Sequence, residues 1–386
     1  MLRNTLWGCC LPKLRRFYGG TLAEVDFFSY LCSRFGKIMV LEIFLIVAGI
    51  ALVLWGADRF TDGATGLARM LKVSELVIGL TVVALGTSLP EFMVSFLSVL
   101  RGSSDMSVGN IIGSNVFNIL VILGASAIMR TMKVEKSLLR RDIPICLAAS
   151  AFLCIFSLTP DVSNGEGVSA LSILPSFGGA GGGYITRWEG LLLVAFFCAY
   201  LYMAYRIAMK DRKDPPQPSL KERENDSGSE NKSSLPLREG WGRSLLLILV
   251  GMAALVVGGH ILVDNAAAVA REWGVSESVI GATILAAGTS LPELATSVIA
   301  AHKGSLGLAF GNVIGSNVFN IAFVIGTCSS IVPMEVTEIT PVDWLMLVGS
   351  CILVWIVAFT RRELRRWEGI LLVLCYLSYL VSLLLK

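Results

Sequence analysis

Residues 86–91 read GTSLPE, a run in which Pro90 and Glu91 interrupt a stretch otherwise apolar enough to cross a bilayer. Proline breaks a helix and hydrocarbon rejects a carboxylate, so the pair needs a reason. The same six letters return at 288–293. Residues 79–124 and 281–326 align without a gap and agree at about half their positions. The agreements are Gly, Thr, Ser, Pro, Glu and Asn rather than interchangeable Leu, Ile and Val. The correspondence reaches upstream to Asp62 and Asp264 and to VSE at 73–75 and 275–277, and RWEG recurs at 187–190 and 366–369.

Around this repeat the composition is that of an integral membrane protein: 386 residues, 54% hydrophobic, 16% charged, mean hydropathy +0.71. Soluble domains carry about 25% charged residues. Runs long enough to span as helices fall at roughly 39–56, 76–100, 106–128, 143–158, 188–208, 244–263, 278–300, 308–330, 342–359 and 369–385, which predicts an all-α protein of ten transmembrane helices. The net charge of +3 gives no reason to expect a nucleic-acid partner, and no obligate protein partner is evident. Nine cysteines contain no CxxC pair, and the six in predicted helices (Cys146, Cys154, Cys198, Cys328, Cys351 and Cys375) read as small apolar residues.

Lys and Arg concentrate in 57–75, 129–142 and 360–368, while 159–186 and 331–341 hold acids and neither base. The first group is therefore expected in the cytoplasm of a multi-pass cell membrane protein, with the C-terminus outside. Residues 1–38 carry Arg3, Lys13, Arg15, Arg16, Arg34 and Lys37 on the wrong side for this scheme, and read as an extension upstream of a natural beginning at Met39. Residues 209–243, rich in Pro, Ser and charges of both signs, read as a disordered cytoplasmic linker. The linker divides a first five-helix repeat, 39–208, from a second, 244–386. Five crossings per copy force the second copy to enter from the opposite side, so the halves are inverted repeats with a site expected where they meet near the midplane.

On the helical face before Glu91 stand Ser88, Thr87 and Ala84, and before Glu293 stand Ser290, Thr289 and Ala286. Pro90 and Pro292 release backbone oxygens nearby. In GSNVFN, Ser114 lies four residues before Asn118, and Ser316 before Asn320. Each serine either lines the site or bonds back to its own helix. Gly109, Gly113, Gly311 and Gly315 form stripes that permit close helix approach. Asn110, Asn115, Asn312 and Asn317 are expected to satisfy backbone groups or one another. His260 and His302 read as bystanders, and Asp62, Asp264, Glu75 and Glu277 as solvated or interface groups. Two buried carboxylates among hydroxyls, amides and carbonyls suit a hard cation such as Ca2+, with Na+ able to compete. The set holds no His or Cys, which disfavours Zn2+ and Cu+.

At these residues the chain resembles the sodium/calcium exchanger family of the calcium:cation antiporters, in its bacterial form with two alpha-repeats carrying GTSxPE and GSNxxN. The resemblance implies that Glu91 and Glu293 are the central Ca2+ ligands, joined by the backbone of Thr87 and Thr289. Ala84, Ser88, Ser114, Asn118, Ala286, Ser290, Ser316 and Asn320 would then complete the sodium sites. Some members have aspartate at one of the two asparagine positions, which makes the driving ion the open point here. The expected function is antiport of Ca2+ against Na+ by alternating access, with no cofactor. A Ca2+/H+ antiporter is the alternative, and a passive cation channel a more distant one. Neither a Ser/His nor a His/Glu constellation falls at membrane depth, so an enzyme is not expected.

Overall fold

A computed structural model describes residues 22–157, 183–213, 237–275 and 286–384, with side chains described from Val40 onward except at 213, 237–240, 286, 361 and 384. The described residues are mainly helical: α1 (Leu22–Leu71), α2 (Glu75–Thr87), α3 (Leu89–Leu100), α4 (Ser104–Met129), α5 (Ile143–Phe156), α6 (Arg187–Lys213), α7 (Leu237–Glu272), α8 (Ala286–Thr289), α9 (Leu291–Lys303), α10 (Leu306–Ile331), α11 (Pro341–Arg361) and α12 (Arg366–Leu384). Among the described residues four short strands accompany them: β1 (Met132–Lys133), β2 (Gly183–Ile185), β3 (Met334–Val336) and β4 (Glu363–Leu364).

Among the described residues seven helices are long and apolar enough to cross a membrane, and α2 with α3, bent by 47° at Ser88, makes an eighth candidate. The other two expected spans do not meet that criterion. One is α5, of only 14 residues, and the other is the span across 278–300, whose first part lies outside the described residues together with Glu277.

Several helices overrun their expected ends. Helix α1 continues through 57–71, expected as a loop, because Ala57, Phe60, Ala64 and Ala68 keep one face buried while Asp58, Arg59 and Asp62 leave by the other. In the same way α7 reaches Glu272. Residues 209–213 and 237–243, expected in the disordered linker, are helical turns at the ends of α6 and α7, and 22–38 runs unbroken into α1. Hydropathy finds where hydrocarbon begins, whereas a helix propagates past that point as long as its residues allow.

Helices α4 and α10 form the centre, with 78% and 94% of their most apolar windows buried against 22% for α1. Glycines set the closest approaches. A Cβ on Gly49 would meet the Gly258 carbonyl at 3.0 Å, and one on Gly56 the Gly251 carbonyl at 2.9 Å, so α1 and α7 run antiparallel with backbones touching. The two contacts exchange when each residue is replaced by its repeat counterpart. A second exchanging pair joins α4 to α12 through Gly124 and Gly369, and α10 to α6 through Gly326 and Gly190.

Gly190 and Gly369 close the two RWEG motifs, whose glutamates also have a shared task. Glu189 accepts the Thr186 N–H at 2.7 Å and Glu368 the Arg365 N–H at 2.7 Å, capping α6 and α12. The strands follow the same exchange. β1 pairs antiparallel with β4, joining the two loops expected in the cytoplasm, and β2 pairs with β3, joining the two expected outside.

Candidate functional site: two crossed carboxylates

The GTSLPE segments supply the break that their sequence predicts. Ser88 (φ −87°, ψ 8°) and Ser290 (φ −90°, ψ 9°) leave helical geometry in the same way, and Pro90 and Pro292 fall in the first turn of α3 and α9, where a missing N–H costs nothing. Each glutamate therefore stands in the first turn of a new helix, the end that favours negative charge. Both Glu91 and Glu293 are fully buried.

Their hydrogen bonds cross between the repeats. Ser88 Oγ donates to Glu293 Oε1 at 2.7 Å, and Ser290 Oγ donates to Glu91 Oε1 at 3.0 Å. Each carboxylate is thus held by the serine of the opposite half rather than the one three residues before it. Thr289 is likewise within reach of the Glu91 carboxylate, and Thr87 of that of Glu293. Thr87 Oγ1 also lies 3.1 Å from the Val83 carbonyl and 3.0 Å from Asn312 Oδ1.

The GSNVFN segments of α4 and α10 approach the same place. Asn118 Nδ2 donates to Asn317 Oδ1 at 3.0 Å, and Asn320 Nδ2 to Asn115 Oδ1 at 3.3 Å, again one pair and its repeat counterpart. Asn320 Nδ2 also lies 3.3 Å from Ser114 Oγ, whose hydroxyl bonds back to Ile111 O at 3.2 Å. Asn317 Nδ2 donates to the Asn115 carbonyl at 3.1 Å. Asn110 donates to Ser95 Oγ at 3.0 Å and Asn312 to Ser297 Oγ at 2.9 Å, tying α4 to α3 and α10 to α9 by one rule in both halves. Asn118 opens a wide π turn over Asn118–Ile122, and Asn320 lies in another over Phe319–Ile325. Such turns recur at functional sites because they redirect side chains and backbone carbonyls. Residue spacing alone did not foretell these turns or the role of Asn115 and Asn317 as acceptors.

Once these bonds are counted, four carboxylate and amide oxygens of the repeated GTSLPE and GSNVFN segments are buried with no donor among the described residues: Glu91 Oε2, Glu293 Oε2, Asn118 Oδ1 and Asn320 Oδ1. Two come from each repeat. Ser316 Oγ is also without a partner. A buried acceptor without a donor costs about 1–3 kcal/mol, and more when it is charged. Carboxylate and amide oxygens left without an N–H or O–H donor are the kind of ligand a hard cation takes. Of the other expected residues, Ala84 is buried beside the break, Ala286 begins α8, and Thr289 is half-buried where Thr87 is buried.

The glycine stripe is seen in one half. A Cβ on Gly311 would sit 2.6 Å from the Leu76 carbonyl, and one on Gly315 2.7 Å from that of Leu80, so α10 packs directly on α2. The counterpart partners of Gly109 and Gly113 fall in 276–285, outside the described residues.

A family model described as "Sodium/calcium exchanger protein" matches residues 41–206 and 243–385. The chain belongs to the sodium/calcium exchanger family. It is 32% identical over 344 residues to the sodium/calcium exchanger MaX1 of Methanosarcina acetivorans, covering 88% of this chain and 97% of that one. It is also 33% identical over 298 residues to the inner membrane protein YrbG of Escherichia coli, covering 77% and 82%. Among solved structures it is similar to the sodium-calcium exchanger NCX_Mj soaked with 10 mM Na+ and zero Ca2+, with a TM-score of 0.69 and 29% identity over 89% of this chain and 99% of that one. This sodium/calcium exchanger family member is accordingly a multi-pass membrane antiporter and not an enzyme.

Proposed function

We propose that the chain exchanges Ca2+ for Na+ by alternating access, with the two ions competing for one site between Glu91 and Glu293. The observation that carries this reading is the set of four buried, donorless oxygens, two from each repeat. A divalent cation there offsets both carboxylates and replaces missing hydrogen bonds with coordination. Thr87 and Thr289 contribute backbone oxygens beside the breaks. Ser88, Ser290, Ser114, Ser316 and the backbone near Ala84 and Ala286 supply neutral oxygens for the smaller charge of Na+. Filling by one ion removes the oxygens the other needs, and that competition is the coupling.

The architecture we infer is ten crossings in two inverted five-helix repeats, 39–208 and 244–386. Antiparallel packing of α1 on α7, the exchanging glycine contacts and the exchanging strand pairs all support it. The distribution of Lys and Arg supports a cell membrane protein with β1, β4 and the linker in the cytoplasm and the C-terminus outside.

A second reading, Ca2+/H+ exchange, draws support from the same carboxylates. Two acids with only amides at Asn118 and Asn320 can be neutralised as well by two protons as by one Ca2+. Flux of 45Ca2+ in proteoliposomes separates the two, with a sodium gradient and a pH gradient imposed in turn and K+ present or absent. Uptake driven by sodium at constant pH is the expected result. Uptake that follows only the pH gradient transfers the site to protons, and uptake indifferent to both refutes antiport.

A further inference from the structure

The broken helices α3 and α9 each carry a glutamate in the first turn and meet a cation ten residues further on, Arg101 as the residue that caps the end of α3 and Lys303 in the last turn of α9. Ten residues of helix span about 15 Å. Both helices then stop at a glycine in the left-handed region, Gly102 (φ 79°) and Gly304 (φ 94°). The repeat thus places one cation at each end of the bundle.

The two ends differ in what that cation does. Lys303 Nζ lies 2.7 Å from Asp58 Oδ1 and 2.6 Å from Asp62 Oδ1, and donates to the Asp58 carbonyl at 3.0 Å, so α9 is tied to α1. At the other end the counterparts are Arg101 on α3 and His260 and Asp264 on α7. All three are exposed, and none makes an ion pair among the described residues. At the Lys303 end α2 packs directly on α10 through Gly79 and Gly311.

We propose that Lys303 and Arg101 are the positioning residues of two alternating latches, resting on the antiport reading above. Lys303 with Asp58 and Asp62 holds its end closed in the state seen here, and Arg101 with Asp264 forms when that end opens. The latches are unequal. Two carboxylates face Lys303, but His260 replaces the second carboxylate at the Arg101 end, so the resting balance favours closure at the Lys303 end. Partly exposed ion pairs are worth little one at a time. Removing Lys303 should accordingly move the ratio of the two states by roughly two- to tenfold rather than abolish exchange.

The test uses the full chain in proteoliposomes of defined orientation, measuring the Ca2+ concentration for half-maximal exchange at each face. Lys303→Met should lower it at the Lys303 face and raise it at the Arg101 face, Arg101→Met should shift the ratio the opposite way, and Lys303→Arg should keep the wild-type ratio. Shifts in the same direction, or none, overturn the latch while wild-type exchange still upholds the transport reading. Hydrogen exchange gives a readout free of transport. In Lys303→Met the amides of 58–72 and 300–306 should exchange faster and those of 260–272 slower. Unchanged protection at both ends overturns the latch whether or not the chain exchanges Ca2+.

Discussion

Removing the Ser88 hydroxyl tests the crossed arrangement directly. Ser88 Oγ stands 2.7 Å from Glu293 Oε1 in a fully buried setting, the length of a charge-assisted bond, whereas Ser290 Oγ is 3.0 Å from Glu91. Hydrogen bonds to charged groups contribute about 1.5–3 kcal/mol, so Ser88→Ala should weaken Ca2+ binding by roughly tenfold to a hundredfold, and Ser290→Ala by somewhat less. The decisive quantity is a coupling energy. Glu293→Asp and Glu91→Asp shorten each acid by one methylene and keep its charge. The cycle of Ser88→Ala with Glu293→Asp should show a coupling of about 1–2 kcal/mol, and the cycle with Glu91→Asp at most about 0.5 kcal/mol. Apparent Ca2+ affinity from 45Ca2+ flux at fixed sodium gradient supplies all the corners of both cycles. A larger coupling within one repeat, between Ser88 and Glu91, would refute the crossed geometry.

Other expectations follow from the same contacts. Glu91→Gln and Glu293→Gln should each abolish gradient-driven 45Ca2+ flux while leaving yield and monodispersity near wild type. Asn118→Leu and Asn320→Leu remove the two donorless amide oxygens and should each raise the half-saturating Ca2+ by an order of magnitude or more in the same assay. Gly251→Ala places a methyl 2.6 Å from the Phe60 backbone nitrogen and should cost about 1–3 kcal/mol, read as a lower melting temperature in detergent, whereas Gly349→Ala meets nothing within 4 Å and should be neutral. Acidification should weaken Ca2+ transport with saturating Ca2+ relieving the loss, since a proton and Ca2+ compete for the same carboxylate oxygens.

Much of the site was legible because a repeat filters noise. Glu91 with Glu293 and Asn118 with Asn320 stood out by occurring twice at equal spacing, and in the structure each of the four is buried with one acceptor oxygen that has no donor among the described residues. The direction of the hydrogen bonds was not legible. Helical spacing joins Ser88 to Glu91, but the bend at Ser88 turns its hydroxyl toward the opposite half, a tertiary effect with no local signature. The π turns at Asn118–Ile122 and Phe319–Ile325 also lack one. Helix ends were misplaced for a different reason. Asp58, Arg59 and Asp62 look like the start of a loop until Phe60 and Ala64 are seen to stay buried on the other face of the same helix. The ion pair of Lys303 with Asp58 and Asp62 joins residues more than 240 apart, beyond anything periodicity reports.

Because each acid takes its serine from the other half, neither half is chemically finished. Either half translated alone would present one glutamate, a hydroxyl aimed at nothing and an unpaired strand at either rim. On the inverted-repeat architecture proposed above, two separate polypeptides could complete the site only by inserting in opposite senses and arriving in equal numbers. The covalent connection between Lys213 and Leu237 guarantees that stoichiometry with every ribosome that reads the message, and keeps the complementary half at a high local concentration from the moment it emerges.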